Sequence, residues 1–282
     1  MTDRLDQLLD QWTPDRLWGC SARCPSTPGD WLLAAWHARN AYEPEPIVAL
    51  RELGADRHGD LVPFAAGHRR GYVWSSLSTA CVAIAGSDDA RDWMDNVRCA
   101  CPESAGYRIR VHRGFAEHAE ELRTVLDRTL APLIRGRLVV LVGHSLGGAV
   151  ATVLPLFSEL AEIRSAAAIT FGSPRAGDAG LRRFWANRSI AQLAADGDPV
   201  PLLPIHGPLY GYRHPSRLIH LTEGGTFVDA WSHRYRRVAG AVAAGMLPRP
   251  IRQRIACRAL SAVRAHRMAT YVRRLTQIYE AH

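Results

Sequence analysis

Lysine is absent from this chain of 282 residues: all 35 of its basic residues are arginine. Such uniformity reads as the habit of a GC-rich coding sequence more than as a local design. Long apolar runs are missing too. The stretches ending at Val142 and running from Val238 to Leu247 fall well short of the roughly 20 residues that a membrane-spanning helix needs. The N-terminal "MTDRLDQLLDQW" mixes charge into an amphipathic pattern and has no apolar centre of the kind a secretory signal carries. The expectation is a soluble cytoplasmic protein, with non-classical export left open. No internal repeat or low-complexity tract is present, which excludes a solenoid or a disordered array.

Cysteine is sparse. Six are present, Cys20 and Cys24 four apart, Cys99 and Cys101 two apart, with Cys81 and Cys257 alone. The C-x-C pair is too tight for the usual zinc knuckle, so free thiols in a reducing compartment are expected and no metal site. The net charge is +8, with arginine clustered after residue 234. That cluster fits either a solvated basic face or a peripheral contact with an anionic lipid surface. Nucleic acid is not an expected partner, because no binding motif accompanies the charge.

A hydrophobic fraction of 47% is enough for a substantial core. One domain over residues 1–282 is expected, with 1–45 a helical extension broken by Pro25, Pro28 and Gly29, and 250–282 a separate C-terminal segment. Between them, apolar runs rich in valine and isoleucine alternate with helical patterns. Strands are expected within 78–87, 107–115, 137–145, 166–174 and 189–198, helices over 116–131 and 146–162, and an antiparallel strand pair within 211–231. Strands alternating with helices predict an α/β fold, a mostly parallel central sheet with helices on both faces.

The most informative stretch is "LVVLVGHSLGGAVA", 138–151. A β run ends at Gly143 and a small-residue helix opens after Ser145, the strand–turn–helix setting of a G-x-S-x-G nucleophile elbow. Gly143 and Gly147 leave room where the turn brings backbone against backbone, with His144 between the strand and the serine. Ser145 is the candidate nucleophile. The N–H of Leu146, at the helix start, points where an acyl carbonyl oxygen gains charge. A serine hydroxyl needs a base, and the base an orienting acid; in such folds the chain order is Ser, acid, His. Asp178, Asp196, Asp198, Glu223 and Asp229 are candidate acids. Asp198 is favoured at a strand end, although an aspartate before Pro199 also suits a plain turn; Asp196 is the fallback.

The chain resembles the class 3 lipases, α/β-hydrolases typified by fungal triacylglycerol lipases. "CVAIAGSDDARDWMDNV" (81–97), "VHRGF" (111–115), "TFGSPRAGD" (170–178), "DGDPVPLLP" (196–204) and "GYRHP" (211–215) are similar to that family's segments, in the family's order. The resemblance implies a serine carboxylic-ester hydrolase, a lipase on acylglycerols, or else a phospholipase A1 or short-chain esterase. A non-catalytic scaffold binding lipid or protein is a further alternative. It implies no cofactor. It places the acid at Asp198 and a second oxyanion donor at Ser87, where the family's R-G-[ST] reads Ala85-Gly86-Ser87. Ser87 also reads as a helix N-cap. Trp93 and Met94 correspond to the family's lid, or to a plain packed helix. His112 and His144 precede or adjoin the nucleophile and are read as structural.

For the base, His266 resembles the H-x-M-x-x-Y-x-x-x-L ending of bacterial members, with His233 the alternative. Helical phase bears on the choice independently. Ile255, Ala256, Ala259, Leu260 and Val263 share one face; Met268, Tyr271, Val272, Leu275 and Ile278 share another, displaced by roughly 120–140°. A break around 264–267 puts His266 on a loop leading into the last helix.

Overall fold

The computed structural model describes residues 27–46, 59–67, 69–87, 102–105, 109–204, 211–224, 227–228 and 264–281. Strand β1 spans Asp60–Ala66, β2 Arg69–Ser75, β3 Thr79–Ile84, β4 Pro102–Ala105, β5 Ile109–His112, β6 Leu138–His144, β7 Ala167–Phe171, β8 Ile190–Ala195, β9 Leu218–Leu221 and β10 Phe227–Val228. Eight of them form one sheet in the order β1-β2-β3-β6-β7-β8-β9-β10, with β4 and β5 paired apart. From β3 to β9 all pairings are parallel, and antiparallel pairs flank them at both edges.

Side chains on the central strands alternate between two cores, as a period of two requires. Ala80, Val82, Ile84, Val139 and Leu141 face one way; Cys81, Ala83, Val140 and Val142 face the other. The first face is covered by α2 (Arg113–Arg128) and α3 (Leu146–Val153), the second by α1 (Pro28–Asn40) and α6 (Met268–Ala281). The expected sheet with helices on both faces is therefore present. Two short helices, α4 (Ala161–Arg164) and α5 (Ala179–Trp185), complete the layer.

Several boundaries differ from those expected. Pro28 does not break a helix but opens one: it stands at the start of α1, directly after the N-cap Thr27 and within the Thr27–Asp30 capping box. A proline costs nothing there, because the first-turn N–H has no intrahelical partner. The helix expected over 146–162 stops at Val153, passes through a 3₁₀ turn containing Pro155, and resumes as α4. The β1–β2 hairpin was not among the expected strands; Pro63 sits within β1, which an edge strand tolerates. The predicted edge pair is there as β9 and β10. Cys81 is a buried free thiol; the other five cysteines lie outside the described residues. Among the described residues, no helix is long and apolar enough to cross a membrane, and no cluster suited to a metal ion occurs.

Two buried histidines set an acid limit on the fold. His37, hydrogen-bonded at 2.5 Å to the Tyr72 hydroxyl, is pushed down to about 3 by burial. His214 is pushed down to about 3 by burial and then by the Arg175 guanidinium. In the unfolded chain both return to about 6.5. Below that value the unfolded state binds more protons, so stability is full above about pH 6.5 and falls as pH drops towards 3, by at most about 1.4 kcal/mol per pH unit per group. A melting temperature followed from about pH 7 to 4 should decline from near 6.5 onward, and less steeply in His37→Gln. A flat profile down to about pH 5 contradicts this.

Candidate active site

The parallel strands end together along one edge of the sheet, the place where open α/β sheets present their ligand-binding residues. At the end of β6 the chain turns sharply at Ser145, the only non-glycine among the described residues with positive φ, 56° with ψ −125°. Holding that conformation costs about 1–3 kcal/mol. The flanking glycines make it feasible: a Cβ on Gly143 would meet the Gly147 backbone, and one on Gly147 the Ile84 carbonyl. Helix α3 begins at Leu146, whose N–H belongs to the unpaired first turn at the positive end of the helix dipole. After β3 the chain passes the elbow so closely that a Cβ on Gly86 would lie 2.8 Å from the His144 carbonyl oxygen. Ser87 follows, half-buried.

Three residues remote in sequence converge here. His266 Nε2 lies 2.9 Å from Ser145 Oγ, and His266 Nδ1 lies 3.0 and 2.9 Å from the two Asp198 carboxylate oxygens. Because a carboxylate only accepts, Nδ1 carries the imidazole proton, which leaves the Nε2 lone pair to accept from the Ser145 hydroxyl. All three side chains are buried. Asp198 stands in the turn after β8 and also accepts from the Val200 N–H at 2.9 Å. Asp196, the fallback acid, makes none of the carboxylate contacts to the base. Asp178 instead caps α5 through Gly180 N–H, and Glu223 is exposed beside Arg274. The predicted break before the last helix is present as a bend at Arg267, but His266 is the last of the helical residues 264–266 before it and not on a loop.

Tyr271 makes a contact that the sequence did not announce. Its hydroxyl donates to Asp198 Oδ2 at 2.5 Å and accepts from the Ala195 N–H at 3.0 Å. Pattern alone put Tyr271 on the buried face of α6, where a packing role sufficed. Arg274, one turn on, donates to the Leu221 and Asp196 carbonyls and ties α6 to the ends of β8 and β9. Of the other described histidines, His144 bonds within the triad only to the His266 backbone, and His112 and His214 point elsewhere. His112 packs its ring on Phe115, and His214 donates to the Pro201 carbonyl at 2.7 Å. The alternative base His233, the lid candidates Trp93 and Met94, and Asp229 lie outside the described residues.

A family model described as Lipase (class 3) matches residues 81–207, the stretch from β3 through the elbow to just beyond Asp198. Residues 81–207 belong to the class 3 lipase family. Within this class 3 segment lie Ser87, the elbow and Asp198; His266 lies after it. The chain is 35% identical over 151 residues to secreted mono- and diacylglycerol lipase 1 of Fusarium solani, covering 48% of this chain and 41% of that protein. It is 26% identical over 234 residues to secreted mono- and diacylglycerol lipase 2 of Gibberella zeae, covering 72% and 56% respectively. The chain thus spans about half the length of the curated relatives it matches. A Rhizomucor miehei lipase in complex with its propeptide superposes with a TM-score of 0.60 at 21% identity, over 71% of this chain and 68% of that one. The fold is that of the α/β-hydrolases.

The expectation of a cytoplasmic protein is corrected by these relatives, both of which are named as secreted. It rested on the lack of an apolar leader in the first residues read, which does not establish where the protein acts.

Proposed function

We propose that this class 3 chain is a serine carboxylic-ester hydrolase that cleaves acylglycerols outside the cell. The single observation behind the reading is the pair of hydrogen bonds that link Ser145 Oγ to His266 and His266 to Asp198, at 2.9 Å each. In this reading Ser145 attacks the ester carbonyl as His266 Nε2 takes its proton, and Asp198 stabilises the imidazolium that forms. The developing oxyanion is met by the Leu146 N–H and by Ser87. His266 then protonates the leaving alcohol, and water, deprotonated by the same ring, releases the fatty acid and restores Ser145. The substrate class follows the relatives named as mono- and diacylglycerol lipases.

The test pairs turnover with labelling. Mono-, di- and triacylglycerol emulsions and phosphatidylcholine vesicles are supplied in turn, and released fatty acid is titrated. Acylglycerols should be cleaved well and the phospholipid poorly. An organophosphate ester should inactivate the protein stoichiometrically, its mass found on the peptide carrying Ser145. Activity surviving complete labelling, or no hydrolysis of any ester, overturns the reading.

A further inference from the structure

His266 must keep two hydrogen bonds at once, so the backbone beneath it has to be held as well as its ring. A contact from across the site does this. His144, the last residue of β6, places its Nε2 2.7 Å from the His266 carbonyl oxygen. A carbonyl oxygen only accepts, so His144 carries its proton on Nε2 and donates it. In the neutral ring Nδ1 is then an acceptor, and the Tyr42 hydroxyl donates to it at 2.7 Å. Tyr42 therefore fixes the tautomer that the His266 carbonyl requires.

The two imidazoles also pack against each other in a tilted pair, with centroids 4.6 Å apart and planes inclined by 32°. Tyr271 also meets His144, edge-on with centroids 5.9 Å apart.

We propose that His144 is a positioning residue for the base: with its tautomer set by Tyr42, it holds the His266 carbonyl and so keeps the His266 ring in reach of Ser145. The proposal rests on the reading of Ser145 as nucleophile and His266 as base. Its geometric force comes from adjacency. His144 and Ser145 share a peptide bond, and each is hydrogen-bonded to His266, one to its backbone and one to its ring. The loop so formed is short, and it fixes the serine–imidazole distance with little slack. Small displacements of a base are costly, about 100-fold for 1 Å.

Charge favours the same role. When His266 becomes an imidazolium, a second cation stacked on it would oppose the step. Burial, and next the neighbouring His266, hold His144 well below the usual imidazole range, although its bond to the His266 carbonyl works the other way. Among the described residues the groups facing it are Tyr42, His266 and Tyr271, none of them a carboxylate that would favour a charged ring.

The test uses the full chain and a soluble short-chain p-nitrophenyl ester. His144→Phe keeps the ring and its stacking but loses both hydrogen bonds; kcat should fall about 100-fold with KM within about twofold. His144→Gln offers an amide N–H at the position of Nε2 and should recover kcat to within about tenfold of the parent. Tyr42→Phe frees the tautomer and should lower kcat about fivefold, again at constant KM. Undiminished kcat in His144→Phe, or equal losses in the Phe and Gln variants at the parental melting temperature, overturns the proposal. If His144→Phe does not fold, Tyr42→Phe decides: parental kcat overturns it. Ser145→Ala runs alongside. If it retains turnover, the underlying hydrolase reading has failed; if it is dead while His144→Phe is fully active, only the positioning role has.

Discussion

Replacing Asp198 by asparagine should lower kcat about 10⁴-fold and leave the fold intact. The size of the loss follows from who else touches the carboxylate. Oδ1 accepts from the Val200 N–H, a backbone donor that cannot reverse its role, so the asparagine oxygen must take that position. The amide nitrogen then falls at Oδ2, beside His266 Nδ1 and the Tyr271 hydroxyl. An N–H facing Nδ1 selects the imidazole tautomer protonated at Nε2. That ring donates to Ser145 instead of accepting from it, and the base is lost although nothing has moved. The check is steady-state hydrolysis of a soluble ester together with a thermal melt. An asparagine variant within about tenfold of the parent would remove Asp198 from the mechanism.

Gly172→Ala should abolish most activity from a position with no chemistry of its own. Gly172 follows β7 at φ 56°, where a residue with a Cβ pays about 1–2 kcal/mol. The larger effect is where the methyl goes. It would lie 2.7 Å from Asp198 Oδ2, 2.9 Å from the Tyr271 hydroxyl and 3.0 Å from His266 Cε1. The carboxylate is already gripped by three donors, so it cannot yield without breaking one of them. We expect kcat to fall about 10³-fold, more than the strain alone explains, with the melting point lower by a few degrees. Organophosphate labelling of Ser145 should slow in step, because the same base activates the serine for both reactions. Retention of activity within about tenfold would mean that the site absorbs the methyl by a shift of β7.

How far the sequence revealed this site depends on the kind of information each residue carries. Gly143, Ser145 and Gly147 announce themselves, because a strained turn between strand and helix restricts residue type at fixed spacing. The phase change before α6 exposed the break near His266, since a rigid helix cannot turn its apolar face by a third of a circle without one. The α6 face then came out as expected, with Met268, Tyr271, Val272, Leu275 and Ile278 buried. What stayed hidden was the direction of polar atoms inside that face. Periodicity says that Tyr271 is buried, but not that its hydroxyl meets a carboxylate contributed from 73 residues away. Tyr42 and Gly172 were silent for the same reason: their meaning lies in what tertiary contact brings near them. Pro28 was misread because a proline ends one helix and begins another equally well, and only the Thr27 cap decides between the two.

The chain order of the site also has a consequence in time. Ser87, the elbow and Asp198 are all made before the last helix, and His266 is 121 residues downstream of the serine it serves. The Tyr271 hydroxyl that steadies the acid emerges later still. A nascent chain that has reached β10 therefore has Ser145 but not yet the imidazole that hydrogen-bonds it. His266 can reach Ser145 only once α6 has been made and packed beside α1, so in the proposed reading the serine has no base until then.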